Sequence, residues 1–266
     1  MEQGMNVKGA KLVYYSPTGS SRKIAEAVAG GLGMAHGGVD LTGPGARPTA
    51  ILGCNDLTVI AVPVYGGRVP VTAAERLKTV RGEGSPAVLV VVYGNRAFED
   101  ALVELKDIAT EQGFRPVAAA TFVAEHSFST GETPVAHGRP DDADLAKATA
   151  FGTDVKRKLN TISEASDLFV PGNRPYKERS SPSEGMSPET DSDTCIMCGA
   201  CAQACPTGAV ALSAKVNTVK GLCTRCTACV KSCPTGARAW AHPGIKKIAT
   251  WLNTSFGERK EPETFL

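Results

Sequence analysis

Eight of the nine cysteines fall between Cys195 and Cys233, in two matching runs. The first is Cys195-x2-Cys198-x2-Cys201-x3-Cys205-Pro206-Thr207-Gly208-Ala209, and the second is Cys223-x2-Cys226-x2-Cys229-x3-Cys233-Pro234-Thr235-Gly236-Ala237. One 28-residue unit written twice points to an internal duplication. Cysteines crowded in this way act as metal ligands rather than cystines. Three close thiolates on a turning loop cover three corners of an iron–sulfur cube, and a fourth must arrive from elsewhere. The proline after that fourth cysteine ends the local helical option. Small residues at Gly199, Ala200 and Ala228 let the backbone approach the sulfides and aim N–H groups at them. Zinc sites favour CxxC pairs separated by longer stretches and require no third cysteine in the same register. The pattern therefore predicts two [4Fe–4S] clusters.

Charge sharpens this expectation. From Asp191 to His242 the cations Lys215, Lys220, Arg225, Lys231 and Arg238 face only the acids Asp191 and Asp193. A cube with four thiolates carries roughly −2 when oxidised, so cationic neighbours offset it and favour reduction. The expected potentials are less negative than those of an acidic free carrier.

A second group of residues suits an anion and an aromatic ring. The turn Ser16-Pro17-Thr18-Gly19-Ser20-Ser21 places hydroxyls and free N–H groups at the start of a helix, where the helix dipole is positive. It lacks both the GxxxxGK[ST] and the GxGxxG phosphate patterns. Held without lysine or metal, the anion is expected to be a monophosphate. Two further loops, Pro63-Val64-Tyr65-Gly66-Gly67-Arg68-Val69-Pro70 and Tyr93-Gly94-Asn95-Arg96-Ala97-Phe98, follow apolar runs.

The elements that must position these loops are legible as alternating patterns. Ala10–Tyr15, Leu57–Val64, Ala87–Val92 and Val117–Val123 are predicted strands. Helical spacing covers about 21–30, Ala73–Val80, 98–112 and Asp141–Leu159, the first closed by Gly30, Gly31 and Gly33. Strands buried on both faces are continuous Val/Ile/Leu runs, and helices between them imply right-handed parallel crossovers. This predicts a doubly wound α/β domain. In an open sheet of order 2-1-3-4-5, ligands sit beyond the carboxyl ends of the strands, at the switch between strands 1 and 3, where all three loops would converge.

With these motifs in place, two resemblances are clear. The cysteine block resembles the bacterial two-cluster ferredoxin over about 50 residues, and residues 10–160 resemble a flavodoxin. The whole chain is similar to the fused flavodoxin–ferredoxin proteins of anaerobic bacteria and archaea, including the PGNRPYK segment at 171–177. The resemblance implies a flavodoxin-like, doubly wound, parallel five-stranded sheet plus a small α+β two-cluster ferredoxin domain. In the ferredoxin run the fourth cysteine ligates the other cluster. Cys195, Cys198, Cys201 and Cys233 would then hold one cluster, and Cys223, Cys226, Cys229 and Cys205 the second. It also implies FMN, with Ser16, Pro17, Thr18, Gly19, Ser20 and Ser21 at its phosphate. Pro63, Val64, Tyr65, Gly66, Gly67, Arg68, Tyr93, Gly94, Asn95, Arg96 and Phe98 would surround its ring. Flavodoxins commonly carry a tryptophan in those loops. Here both tryptophans, Trp240 and Trp251, lie far along the chain. Tyr65, Tyr93, Phe98 or glycine backbone is expected to flank the ring and leave it more open.

The expected organisation is an FMN domain over 1–160, an exposed Ser/Pro/Glu-rich linker over 161–190, the ferredoxin domain over 191–242 and a tail over 243–266. In that tail Ile245, Ile248, Leu252 and Phe256 have helical spacing, which predicts a helix docked on its own protein. His126 is expected to be a surface or capping residue, and Cys54 a small turn residue. Arg174, Tyr176 and Lys177 either brace an interdomain contact or belong to an extended linker. Lys and Arg number 29 against 27 Asp and Glu, which supplies no electrostatic argument for nucleic acid or an anionic membrane. No apolar stretch reaches membrane length, and no secretory leader pattern is present, so a cytoplasmic protein is expected.

The expected function is electron transfer between FMN and the two clusters, with redox proteins as partners. Two alternatives stay open: a flavin-dependent reductase of a small substrate fed by the clusters, and a redox sensor or docking module without flavin. The linker also leaves open whether FMN meets the clusters of its own chain or those of a second copy in a homodimer.

Overall fold

The structure is a computed structural model that describes residues 4–165, 167–179 and 186–266. Four apolar runs form its central parallel strands: β1 (Gly9–Tyr14), β4 (Asp56–Pro63), β6 (Pro86–Tyr93) and β7 (Arg115–Val123). A fifth parallel strand, β2 (His36–Asp40), pairs with β1 at one edge. Its sequence, HGGVD, is mostly exposed and carries no strand pattern, so only the register against β1 defines it. The order of these five is β2-β1-β4-β6-β7, the doubly wound 2-1-3-4-5 arrangement. At the other edge the sheet gains a sixth strand, β12 (Glu263–Phe265), antiparallel to β7. The five parallel strands keep the expected order, and this antiparallel strand is an addition to them. The end of the tail covers an edge that would otherwise present unpaired backbone groups. A minor parallel ladder joins β3 (Ala50–Ile51) to β5 (Val80–Arg81).

Successive strand residues point to opposite faces, and each face has its own core. Leu12, Val59, Val88 and Phe122 pack beneath α1 (Ser20–Leu32) and α4 (Asp142–Leu159). Val13, Ile60, Leu89 and Val91 pack beneath α2 (Val71–Leu77) and α3 (Ala101–Glu111). Of the glycines expected to close the first helix, Gly33 does so in the left-handed region at φ 64°. Gly31 has a different task. A Cβ on Gly31 would lie 1.9 Å from the Thr149 carbonyl oxygen, and one on Gly152 would lie 2.1 Å from that of Val28. This glycine pair lets α1 and α4 touch backbone to backbone. Helix α4 starts with a reciprocal capping box between Asp141 and Asp144 and ends on Lys156, Arg157 and Lys158, which complements its dipole.

Much of the stretch expected to be an exposed linker is packed. Ser166 and residues 180–185 of it lie outside the described residues. Leu168 and Val170 join the α2/α3 core. The Asn173 and Lys177 backbone N–H groups donate to the Asp100 carboxylate, and Arg174 and Tyr176 both donate to Asp107. Arg179 donates to Glu104. The PGNRPYK segment is thus a strap along α3.

The small domain has two short antiparallel ladders. One joins β9 (Val210–Leu212) to β10 (Val216–Thr218), and the other joins β8 (Glu189–Thr190) to β11 (Arg238–Ala239). One-turn helices α5 (Ala200–Gln203) and α6 (Ala228–Lys231) carry the third cysteine of each run, Cys201 and Cys229. The tail helix α7 (Pro243–Ser255) buries Ile245, Ala249 and Leu252. Among the described residues no helix is long and apolar enough to cross a membrane.

Candidate functional site

Beyond the carboxyl ends of β1, β4 and β6 lies a cavity of about 460 Å³, within the range of small-molecule and cofactor sites. Ser16, Pro17, Thr18, Ser20 and Ser21 line one end of it. Helix α1 begins there behind Gly19, whose φ of 85° turns the chain into the helix without a side-chain cap. The first-turn N–H groups and the Thr18, Ser20 and Ser21 hydroxyls are what a monophosphate requires. The Ser16 hydroxyl already accepts the Arg22 N–H at 3.0 Å and so braces the turn. Pro63, Val64, Tyr65 and Gly66 line the middle, with Tyr93, Gly94 and Arg96 opposite. No Cβ fits at Gly94, because it would lie 2.5 Å from the His126 ring. A cradle of this shape and polarity fits FMN.

Four of the residues expected at the ring are placed elsewhere. Arg68 is buried in a bidentate pair with Glu104, at 2.8 and 2.9 Å, and its guanidinium stacks 4.5 Å from the Tyr176 ring centroid. It holds the strap rather than a ligand. The Asn95 side chain donates to the Phe256 and Glu258 carbonyls and so fastens the tail. Phe98 packs edge-on against Tyr93 at 5.6 Å and joins the α2/α3 core. Gly67, at φ 83°, makes room for Glu99, whose carboxylate a Cβ would strike.

The remaining wall comes from segments without a legible signal. The loop after β7 contributes Glu125, His126, Ser127 and Phe128. His126 is therefore a cavity residue rather than a surface cap. Burial, aided by Arg96, lowers its imidazole from the ordinary 6.5 to about 4. Its Nδ1 accepts the Phe128 N–H at 3.0 Å. From α7 come Ile248, Leu252 and the half-exposed Trp251, which packs edge-on against Phe256. A tryptophan, absent from the loops themselves, thus reaches the cavity wall from the tail. Thr224 and Arg225, between two cysteines of the second run, complete the wall.

Behind Thr224 and Arg225, a second cavity is lined by Cys205, Cys223, Cys226 and Cys229. The second-cluster set thus surrounds one space, with its fourth member contributed by the first run. The duplication is visible in the backbone. Met197 and Gly199 are left-handed at φ 54° and 79°, and Arg225 and Thr227 match them at 58° and 68°. Such strain at non-glycine residues costs about 1–3 kcal/mol each and clusters at functional sites. Here it turns N–H groups inward, and those of Arg225 and Ala228 reach Cys223 and Cys226. Burial pushes the Cys226 thiol up to about 12, and coordination to a metal would deprotonate it. Cys201 is buried, Cys195 and Cys233 half-buried and Cys198 exposed. Among the described residues no three His, Cys, Asp or Glu side chains converge on a single ion. Cys54 is an exposed turn residue.

Specific contacts hold the two cavities together. Arg76 donates to the carbonyls of Leu41, Thr42 and Pro206, the last at 2.6 Å, directly after Cys205. The Thr227 hydroxyl donates to the Ser127 carbonyl at 2.5 Å, and Lys231 pairs with Glu125 at 3.1 Å. Phe128 meets Trp240 edge-on at 5.1 Å. Burial, with Cys226, Tyr15 and Cys223 facing it, holds the Tyr65 hydroxyl well above its ordinary range.

Residues 188–211 and 217–239 match the family model of the 4Fe-4S binding domain. No curated protein matches the chain. The flavodoxin of Streptococcus pneumonia TIGR4 is similar in structure, at 18% identity and a TM-score of 0.39, over 56% of this chain and 99% of that one. Oxidised Flavodoxin 2 from Bacillus cereus is similar at 14% identity and a TM-score of 0.39, over 56% and 99%. Two-electron reduced Megasphaera elsdenii flavodoxin is similar at 13% and 0.35, over 56% and 98%. The strand order itself defines the N-terminal fold. The chain joins a flavodoxin-like α/β domain to a 4Fe-4S binding domain, a combination that supports a redox electron-transfer role.

Proposed function

We propose that this protein carries electrons between one FMN and two [4Fe–4S] clusters within a single chain, as a cytoplasmic carrier in anaerobic redox metabolism. The supporting observation is that Thr224 and Arg225 face the flavin-sized cavity, while Cys223 and Cys226 beside them line the cavity behind. Bound FMN would supply chemistry that handles electrons in pairs or singly, whereas each cluster passes one at a time. The Ser16–Ser21 turn binds the phosphate through hydroxyls and first-turn N–H groups. Tyr65, Tyr93 and Trp251 enclose the ring, and neutral His126 shapes the edge near Gly94. Cys205, Cys223, Cys226 and Cys229 hold the inner cluster. Cys195, Cys198, Cys201 and Cys233 hold the outer one, where exposed Cys198 offers the exit toward a partner protein. A second copy of the chain is not needed to complete the path.

Anaerobic purification with iron, sulfide and flavin quantified, followed by stepwise redox titration, tests this reading. The expected result is two clusters and one FMN, all reducible by one donor. Clusters without flavin affinity would overturn it.

A further inference from the structure

Arg238 lies on β11 between the two cysteine sets, and only 3% of it is exposed. Its guanidinium donates to the Thr190 hydroxyl at 2.7 Å, the Thr218 hydroxyl at 2.9 Å and the Cys229 sulfur at 3.6 Å. Its Nε is buried with no hydrogen-bond partner among the described residues. It lines the cavity of Cys205, Cys223, Cys226 and Cys229, and also the hollow beside Cys195. Its backbone N–H reaches Cys233, and its charge acts on Cys201. One residue thus touches ligands assigned to both clusters.

A buried charge needs a counter-charge. The buried arginines Arg68 and Arg139 have theirs in Glu104 and Asp144. Arg76, another buried arginine, is held by three carbonyl oxygens. Arg238 has two hydroxyls and a sulfur. Its remaining electrostatic demand is met only when thiolates and sulfide carry negative charge around it. Of the other cations of the block, Arg225 lines the cavity of Cys205, Cys223, Cys226 and Cys229 and acts on Cys223, but it does not line the hollow beside Cys195 as Arg238 does. Lys215 and Lys220 are exposed, where water and salt screen them, and Lys231 is paired with Glu125.

We propose that Arg238 is the shared internal counter-charge of both clusters, a positioning residue that makes each of them easier to reduce. It rests on the cluster part of the reading above and is independent of the flavin. Each one-electron reduction adds a unit of negative charge beside the guanidinium, which cannot release its proton in response. The attraction therefore grows on reduction.

The test compares full-length, anaerobically purified proteins in mediated titrations with dithionite as the electron source, read by electron paramagnetic resonance of the reduced clusters. Arg238→Gln is expected to lower the electron affinity of the inner cluster about tenfold, or about 59 mV for a one-electron couple, with a smaller fall at the outer one. Lys220→Gln is expected to stay within about twofold of the unaltered protein, because exposed charge is screened. Arg238→Lys keeps the charge and should retain most of the affinity. Wild-type potentials in a loaded Arg238→Gln protein would overturn the proposal, as would an equal fall in Lys220→Gln. If Arg238→Gln takes up no iron while Arg238→Lys loads with near-native potentials, the charge requirement is supported. Failure of both variants to load assigns Arg238 to folding alone and overturns it. An unaltered protein without iron would instead overturn the cluster reading and this inference with it.

Discussion

The two cysteine runs share their spacing and their left-handed backbone positions, yet they occupy different surroundings. In the first run Cys198 is exposed, Ile196 is 64% exposed and Met197 39%. In the second run Cys226 and Cys229 are buried, and Thr224 and Arg225, which match Ile196 and Met197, face the flavin-sized cavity. The duplicated motif specifies ligands twice over. Contact with the N-terminal domain thus sets Thr224 and Arg225 of one copy against the cavity and leaves Ile196 of the other exposed.

The strongest way to break this comparison is to remove one ligand from each copy. Cys226→Ser should cost about half of the iron, since each run supplies ligands to both clusters but Cys226 serves only the inner one, and should abolish flavin-to-cluster exchange. Cys198→Ser should cost a similar share of iron while leaving flavin reduction of the inner cluster intact and slowing delivery to an external protein. Iron analysis and stopped-flow spectra of both variants check this, and identical kinetics in the two would erase the asymmetry.

Next in size is the tie at Arg76. Arg76→Ala leaves the Leu41, Thr42 and Pro206 carbonyls without this donor and should destabilise the protein by about 2 kcal/mol. Denaturant unfolding measures that loss, and flavin-to-inner-cluster exchange should slow while external delivery from the outer cluster changes less. Trp251→Ala, on the inner side, should weaken FMN binding about two- to tenfold, the scale of one aromatic contact. Fluorescence titration of the flavin-free protein reads it, and the quenching on FMN binding should vanish largely with Trp251 and not with Trp240.

The smallest effect concerns His126. Its folded value, about 4, lies below the ordinary 6.5, so the folded protein resists protonation that the unfolded chain accepts. Its contribution is fully present above pH 6.5 and is lost as pH falls from there toward about 4. His126→Asn, which keeps an acceptor for the Phe128 N–H, should flatten that slope. Thermal unfolding across this range measures it. Partial solvent access to the ring keeps the effect small.

Much of the N-terminal fold was legible because β1, β4, β6 and β7 are continuous apolar runs that burial on both faces demands. Strand β2 was not, since His36-Gly37-Gly38 has no apolar pattern and pairs only because β1 offers an edge. The strap was obscured by its Ser, Pro and Glu content. Its order comes from Asp100 at the start of α3 and from Glu104 and Asp107 on it, carboxylates that give no local sign of their partners some 70 residues away. Arg68 and Asn95 sat in loops of the right position but turned to Glu104 and to the tail.

By itself the sequence determined the chemistry: eight thiolates spaced for cubes, a hydroxyl-rich turn at a helix start, and strands that end in loops on one side of a sheet. Those features are written within a few residues of each other, at the scale of a turn or a helix. The tertiary structure alone decided which copy of the repeat meets the cavity beyond the strands, that Trp251 lines it, and that Arg238 contacts both cysteine sets. Each of those outcomes depends on surfaces brought together from distant parts of the chain, and packing complementarity leaves no periodic trace in either partner's sequence.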